Sequence, residues 1–158
     1  MAQEKIYLDT SVPSAYFDTR WPYRMEVTQR FWQATLLEYQ LIVSEVTLAE
    51  IKATPNAVRR QEMYDLVVGL PVLNLKPRSL QLSLEFLSAS LVPPKKREDA
   101  QHLAIAVENG FDFLVSWNFE HMVNAKTQKR LSVISAQHGY FKQLLIVSPE
   151  AFTGRTKT

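Results

Sequence analysis

Three carboxylates stand where an α/β fold would bring acids together. Asp9 ends the first apolar stretch, Glu50 lies about a turn and a half into the helix after the second, and Asp99 opens a later helix. Ligands of open α/β sheets bind outside the carboxyl ends of the strands, so acids near these ends favour a ligand site. Glu50 shares a helix side with Val46 and Ala53, where an unpaired charge would be costly unless a partner or metal ion met it.

Each of these residues also has a structural explanation. Asp9, before Thr10 and Ser11, can cap a helix, and Asp99 in a first helical turn gains from the helix dipole. Asn118, which follows the fourth apolar stretch, can stabilise a loop as well as bind a ligand. Singly, these residues leave capping and ligation open, and only their combination favours a site.

Other common catalytic motifs are missing from the chain. It has no cysteine, which excludes thiolate catalysis, cysteine-bound zinc and disulfides. Its four glycines form neither the dinucleotide fingerprint nor a P-loop, and its three histidines form no H-E-x-x-H pattern. No Gly-x-Ser-x-Gly elbow is present either. The carboxylates remain as the main catalytic candidates.

The charges of the chain are segregated, although the 158 residues carry a net charge of only +2. Residues 98–121 contain five acids and no Lys or Arg. The flanking blocks are basic, with five bases and one acid in 76–97 and six bases and one acid in 122–158. Solvated helix ends explain some of the acids, while basic blocks suit a polyanion such as a nucleic acid.

Apolar stretches alternate with helical patterns along the chain. We predict strands at 5–9, 41–44, 72–75, 113–116 and 144–147, and helices at 10–18, 24–39, 44–53, 56–69, 77–91, 98–109, from 118 onward and up to 139. Strands that are apolar throughout predict a mostly parallel central sheet in a three-layer α/β sandwich. No repeat or linker divides the chain, so we predict one domain at 1–152 and a frayed basic tail at 153–158.

Four segments together resemble the signature segments of PIN domains in order and spacing. They are Ile6–Ser11, Val46–Ile51, Asp99–Ala106 and Leu114–Phe119, and the ending Ile146–Glu150 is similar as well. The resemblance covers almost the whole chain. It is strongest to the small prokaryotic branch that includes VapC-type toxins, and it predicts a PIN-like fold.

The resemblance implies a ribonuclease that depends on Mg²⁺ or Mn²⁺. It assigns metal-site roles to Asp9, Glu50 and Asp99, with Asp9 and Asp99 as the principal ligands and Glu50 holding a ligand water or acting as base. Hard divalent cations prefer such carboxylate oxygens. Many PIN domains have an Asp where this chain has Asn118, so one or two metal ions remain open, and Glu120 is a candidate to compensate.

Several other residues are assigned supporting roles by the resemblance. Thr10, Ser11 and Ser116 carry hydroxyls that would orient the first acid or a water, although capping also explains Thr10 and Ser11. His102 is one turn from Asp99 and would contact substrate or a metal ligand, or be a buried, satisfied histidine. The aromatic residues also leave alternatives: Trp117 can stack on a base or pack beneath its loop, and Trp21 suits a core or an interface.

The implied partners are an RNA substrate and an antitoxin protein, with this chain as the toxin of a toxin–antitoxin pair. The alternative function is a catalytically weak PIN-like module that binds RNA or protein, and a phospho-acceptor receiver is a third class. A homodimer through the helices at 24–39 or 56–68 is possible by resemblance. Short apolar runs and the absence of a leader pattern predict no membrane contact and a cytoplasmic protein.

Overall fold

Five strands and seven α-helices alternate along the chain in the computed structural model, which describes residues 3–154. In chain order they are β1 (Lys5–Leu8), α1 (Ser11–Ala15), α2 (Pro22–Thr35), β2 (Gln40–Ser44), α3 (Glu45–Lys52), α4 (Ala57–Val67), β3 (Val72–Leu73), α5 (Pro77–Ser88), α6 (Arg97–Glu108), β4 (Phe113–Val115), α7 (Ala125–Gln137) and β5 (Leu145–Val147), followed by a 3-10 helix at Pro149–Phe152. No helix in this part of the chain is both long and apolar enough to cross a membrane.

The strands form one sheet in the order β3-β2-β1-β4-β5, and every neighbouring pair is parallel. The α/β fold with a parallel sheet is therefore confirmed. β1 lies at the centre, where the chain first builds outward through β2 and β3 and then returns to β4 on the other side. The gap between the carboxyl ends of β1 and β4 is thus the switch point at which such sheets bind ligands.

Two hydrophobic clusters cover the two faces of the sheet. Successive side chains of a strand point to opposite faces, and in β1 Ile6 and Leu8 join one cluster while Tyr7 joins the other. The first cluster contains Phe31 and Trp32 of α2, and the second contains Phe86 of α5 and the apolar side of α6. The sheet is therefore the middle layer of three.

Sequence signals at helix starts are mostly confirmed. Ser44 accepts hydrogen bonds from the backbone N–H groups of Val46 and Thr47 and caps α3, and Asn56 caps α4 through the N–H of Arg59. Helix ends were less predictable. The helix predicted to reach Asp18 ends at Ala15, and α5 ends at Ser88 rather than at residue 91.

The helix predicted from Asn118 is wrong, because residues 118–124 form turns before α7 begins. The side chain of Asn118 accepts a hydrogen bond from the N–H of His121, and Asn124 caps α7 through the N–H of Thr127. These side-chain bonds to the backbone compete with helical ones. Of the tail predicted at 153–158, residues 155–158 lie outside the described part of the chain.

Candidate functional site

The predicted site residues arrive at the carboxyl edge of the sheet from four elements. Asp9 follows β1 directly, and Asn118 follows β4, the neighbour of β1. Glu50 lies on α3, which follows β2, and Asp99 lies in the first turn of α6. Side chains separated by up to 109 positions in sequence therefore lie around the switch point.

Asp9 is held by the hydroxyl groups of two serines. Its carboxylate is only 4% exposed. One oxygen accepts hydrogen bonds from the N–H and the hydroxyl of Ser11, at 3.1 and 2.5 Å, and the other accepts the Ser116 hydroxyl at 2.6 Å. Burial raises the pKa of Asp9, and the hydrogen bonds and the nearby His102 lower it only in part.

Glu50 is fixed by one hydroxyl and one imidazole. The same oxygen, Oε1, accepts a hydrogen bond from Thr10 Oγ1 at 2.5 Å and another from His102 Nε2 at 2.7 Å. Burial by itself would raise the pKa of Glu50, but the bond and charge of His102 and the bond from Thr10 hold it below its ordinary value. Glu50 is therefore ionised near neutral pH.

His102 joins Glu50 to a buried chain of polar groups. Its Nδ1 lies 2.5 Å from the hydroxyl of Tyr7, which in turn lies 2.7 Å from Ser44 Oγ, the cap of α3. Burial disfavours the charged imidazole, but Tyr7 and Glu50 outweigh that effect and raise the pKa of His102 well above its ordinary 6.5. His102 is thus both buried and satisfied, and it contacts a predicted site carboxylate.

Asp99 is contacted by the amide of Asn118, whose Nδ2 donates to Asp99 Oδ2 at 3.2 Å. Burial raises the pKa of Asp99, and the charges of Asp9 and Glu50 raise it further, while His102 and Lys96 oppose them. The three acids are therefore close enough to repel one another, and bringing a divalent cation between them would relieve that repulsion.

The donor set suits a hard divalent cation, since it offers three carboxylates and one amide. Within residues 3–154, however, no group of three His, Asp or Glu side chains is arranged closely enough to hold an ion as it stands. Glu50 is instead bonded to Thr10 and His102. These residues therefore fit a divalent cation by the chemistry of their donors rather than by a ready-made three-ligand arrangement within the described residues.

The hydroxyls predicted to support the acids do contact them. Thr10 is the residue before α1 but makes no side-chain cap bond, and its hydroxyl donates to Glu50 instead. Ser11 also accepts the N–H of Trp117 at 2.8 Å, so it ties the loop after β1 to the loop after β4. The candidate Glu120 lies apart from this set, with an 83% exposed side chain that pairs with His121.

Sequence reasoning missed Tyr7 and Ser44 as parts of the site. The available signal was the strand period, since Tyr7 is two residues before Asp9 and so points to the same face of β1. The alternatives for Trp117 are resolved in favour of packing, because it is 5% exposed and its indole N–H donates to Thr28. Trp21, expected in a core or interface, is 58% exposed.

No protein-family model matches the chain, and no curated protein matches its sequence. Its fold matches several solved structures, among them the following two. VapC20 from Mycobacterium tuberculosis, a sarcin–ricin loop cleaving toxin, is 14% identical, with a TM-score of 0.59 over 85% of this chain and 95% of that one. VapBC2 from Rickettsia felis, bound to a DNA fragment from its promoter, is 15% identical, with a TM-score of 0.59 over 91% of this chain and 98% of that one. The parallel five-stranded sheet, its switch point and these two matches together show that the chain has the PIN-domain fold of VapC toxins.

Proposed function

We propose that the protein is a metal-dependent endoribonuclease and the toxin component of a toxin–antitoxin pair. The observation that carries this proposal is the convergence of Asp9, Glu50, Asp99 and Asn118 at the switch point of a PIN fold, where burial and the charges of the neighbouring acids raise the pKa of Asp99. Mutual repulsion of buried acids costs stability, and clusters of this kind are characteristic of functional sites.

Asp9 and Asp99 are the proposed ligands of Mg²⁺ or Mn²⁺. Such an ion would polarise a phosphoryl oxygen and lower the pKa of a water. The charges of three carboxylates would balance one divalent ion better than they would balance two such ions, and the neutral Asn118 adds no charge. We therefore propose a single ion per site. Ser11 and Ser116 keep Asp9 in one orientation.

Glu50 is the proposed base that orients and deprotonates the attacking water. Its depressed pKa keeps it ionised, and the bonds from Thr10 and His102 fix its Oε1. Tyr7 holds the His102 ring from its other nitrogen, so both are positioning residues in this proposal. In this step the water oxygen would bond to phosphorus as Glu50 takes its proton, and the bond from phosphorus to the 3′ oxygen would break in line. The products would be a 5′ phosphate and a 3′ hydroxyl, which takes its proton from solvent while Glu50 returns its proton to solvent.

The partners are proposed from the structural matches. VapC20 is a toxin that cleaves the sarcin–ricin loop, an RNA element, which supports RNA as the substrate class here. VapBC2 supports a cognate antitoxin for this chain. A homodimer and a cytoplasmic location stay predictions.

RNA cleavage by the purified protein tests the proposal. A mixed pool of structured and single-stranded RNAs is incubated with Mn²⁺ or with excess EDTA, alongside Asp9→Asn, Asp99→Asn and the matched acid-to-amide control Asp65→Asn on α4. We expect cleavage only with the metal, its loss in the two site variants and its retention in the control. Cleavage that persists in EDTA or in the site variants would contradict the proposal.

A binding module without catalysis is the second candidate function. It is favoured by the neutral Asn118 and by the lack of a ready three-ligand cluster in residues 3–154. The same assay separates the two functions, because a binding module would retain RNA on a filter in EDTA and leave it uncut in Mn²⁺.

A further inference from the structure

An arginine held between aromatic rings lies beside the candidate site. The guanidinium carbon of Arg24, in the first turn of α2, lies 5.1 Å from the ring centre of Trp117, 5.5 Å from that of Trp21 and 5.6 Å from that of Phe119. Trp21 and Phe119 are 58% and 41% exposed, whereas Trp117 is buried. Arg24 therefore lies over a fixed indole with two solvent-exposed rings beside it.

Hydrogen bonds connect the backbone of Arg24 to the indole that lies beneath its guanidinium. The indole N–H of Trp117 donates to the hydroxyl of Thr28 at 2.8 Å, and that hydroxyl donates to the backbone carbonyl of Arg24 at 2.6 Å. Thr28 is fully buried. The ring beneath the guanidinium and the backbone that carries it are thus connected by two hydrogen bonds, which lowers the entropy cost of using Arg24 to bind a ligand.

The guanidinium of Arg24 contacts aromatic rings but has no polar partner in the part of the chain that the structure describes. Among residues 3–154 it forms no ion pair and donates no hydrogen bond, although an arginine has five N–H donors. Asp18, an acid that lines the same cavity as Arg24, is bound by the side chain of Arg20 through two hydrogen bonds of 3.0 and 2.9 Å. An aromatic-flanked arginine with free donors is suited to a phosphate.

A cavity of about 200 Å³ connects Arg24 to the candidate site. It is lined by Trp21, Arg24 and Trp117 and also by Ser11 and Asn118. Ser11 bonds Asp9, and Asn118 bonds Asp99. An RNA strand that has one phosphate between the acids would therefore be able to continue into this cavity.

We propose that Arg24, Trp21 and Phe119 form a subsite for one nucleotide of single-stranded RNA next to the cleaved bond, an inference that rests on the proposed function. Arg24 binds the phosphate of that nucleotide, and the exposed face of Trp21 or Phe119 stacks on its base. Stacking on an aromatic ring tolerates any base, so this subsite gives affinity and direction to the bound strand rather than strict sequence choice.

The salt dependence of RNA binding separates the phosphate contact proposed for Arg24 from the stacking contact proposed for Trp21. The probe is a fluorescein-labelled single-stranded RNA of mixed sequence, bound in EDTA and followed by anisotropy at several salt concentrations. Arg24→Gln should weaken the affinity about tenfold and lower the slope of log Kd against log salt by about 0.7, as expected when one phosphate contact is lost from a single strand. Trp21→Leu should weaken the affinity about tenfold with no change in slope.

Matched controls lie on surfaces away from the cavity. Arg30→Gln removes an arginine farther along α2 that pairs with Glu26, and Phe141→Leu removes an 81% exposed aromatic before β5, at the opposite edge of the sheet. Both should bind RNA as the wild type does. Thermal unfolding of Arg24→Gln and Trp21→Leu checks that they fold, and Arg24→Lys, which keeps the charge without the planar fork, should recover most of the salt slope.

The outcomes distinguish this proposal from the proposed function. If the wild type binds and cleaves RNA and folded Arg24→Gln binds it with unchanged Kd and slope, the subsite is overturned and the nuclease stands. If the wild type neither binds nor cleaves RNA, both are overturned. In Mn²⁺, Arg24→Gln should raise KM with kcat unchanged, and a fall in kcat alone would also overturn the assignment to substrate binding.

Discussion

Asp9 shows at the scale of one residue how this fold tolerates a buried acid. The carboxylate lies at the end of the central strand, 4% exposed, with hydroxyls of Ser11 and Ser116 on its two oxygens. These neutral donors compensate for only part of the lost hydration, and the nearby Glu50 adds repulsion. A buried carboxylate of this kind is costly to the fold, which is consistent with the cation-binding role proposed for Asp9.

Asp9→Asn should uncouple stability from activity. The amide keeps an acceptor for Ser11 and offers a donor to Ser116, and it removes the buried charge. We expect the free energy of unfolding in EDTA to stay within about 1 kcal/mol of the wild type or to rise, while RNA cleavage falls about 100-fold or more. Urea unfolding and initial cleavage rates measure the two effects. A loss of several kcal/mol would mean that the charge is structural.

The sequence predicted the acids and the hydroxyls of Thr10, Ser11 and Ser116 beside them, but not the buried chain of polar groups that fixes Glu50. Asp9, Glu50 and Asp99 could be predicted because acids near the carboxyl ends of strands in an open α/β sheet favour a ligand site. The link from Tyr7 through His102 to Glu50 could not be predicted, because it joins residues 95 and 52 positions apart whose side-chain directions depend on how α3 and α6 pack. Arg24 was missed for the same reason.

Among the helices and strands, the residue at which a helix begins determines where a catalytic candidate lies. α3 begins at Glu45, directly after β2 and its capping residue Ser44, and thereby places Glu50 near the switch point. Strand ends and caps of this kind were predictable because they depend on neighbouring residues. The turns at 118–124 were not, because Asn118 also bonds Asp99 on another element.

Ser44→Ala should weaken the start of α3. The Ser44 hydroxyl accepts the N–H groups of Val46 and Thr47 at 3.1 and 3.4 Å and contacts the Tyr7 hydroxyl, all in the core. We expect a loss of about 1–3 kcal/mol in the free energy of unfolding, measured with urea. Ser132→Ala, on the exposed side of α7, is the control and should change it by less than about 0.5 kcal/mol. Equal effects of both variants would show that the cap is unimportant.

Asp112 joins three elements at the amino edge of the sheet. Its carboxylate accepts the N–H of Lys5 at the start of β1 at 2.8 Å and pairs with Lys142, before β5, at 3.0 Å. Burial would raise the pKa of Asp112, but the bond from Lys5 and the charge of Lys142 lower it. Its folded pKa therefore lies below its unfolded one, so its contribution is complete above about pH 4 and is lost as the pH falls through the folded value.

Asp112→Asn should accordingly reduce stability in a pH-dependent way. At pH 7 we expect a loss of about 1–2 kcal/mol in the free energy of unfolding, because hydrogen bonds to a charged acceptor are replaced by weaker ones. The difference from the wild type should shrink as the pH falls below about 4. Urea unfolding from pH 7 to pH 2.5 measures it, with Asp65→Asn as control. A difference that stays constant over this range would contradict the assignment.

Along the whole sequence, an acidic block at residues 98–121 lies between two basic blocks. Residues 98–121 contain five acids without a Lys or Arg, and residues 76–97 before them contain five bases. Lys96 lies close enough to Asp99 to lower its pKa, so the basic block meets the acidic one at the start of α6. The basic blocks attract a polyanion, whereas the acids repel its phosphates. A phosphate of the polyanion can therefore lie beside the acids only if a cation is present there.

Calorimetric titration with Mn²⁺ is the most direct test that Asp9, Glu50 and Asp99 form a cation site. We expect the wild type and Asp65→Asn to bind one Mn²⁺ per chain, with a Kd of about 1 mM or tighter. Asp9→Asn and Asp99→Asn should each bind it about tenfold more weakly or worse. Binding that is undetectable in the wild type at millimolar Mn²⁺, or equal in all four proteins, would contradict the claim that Asp9 and Asp99 meet around one ion.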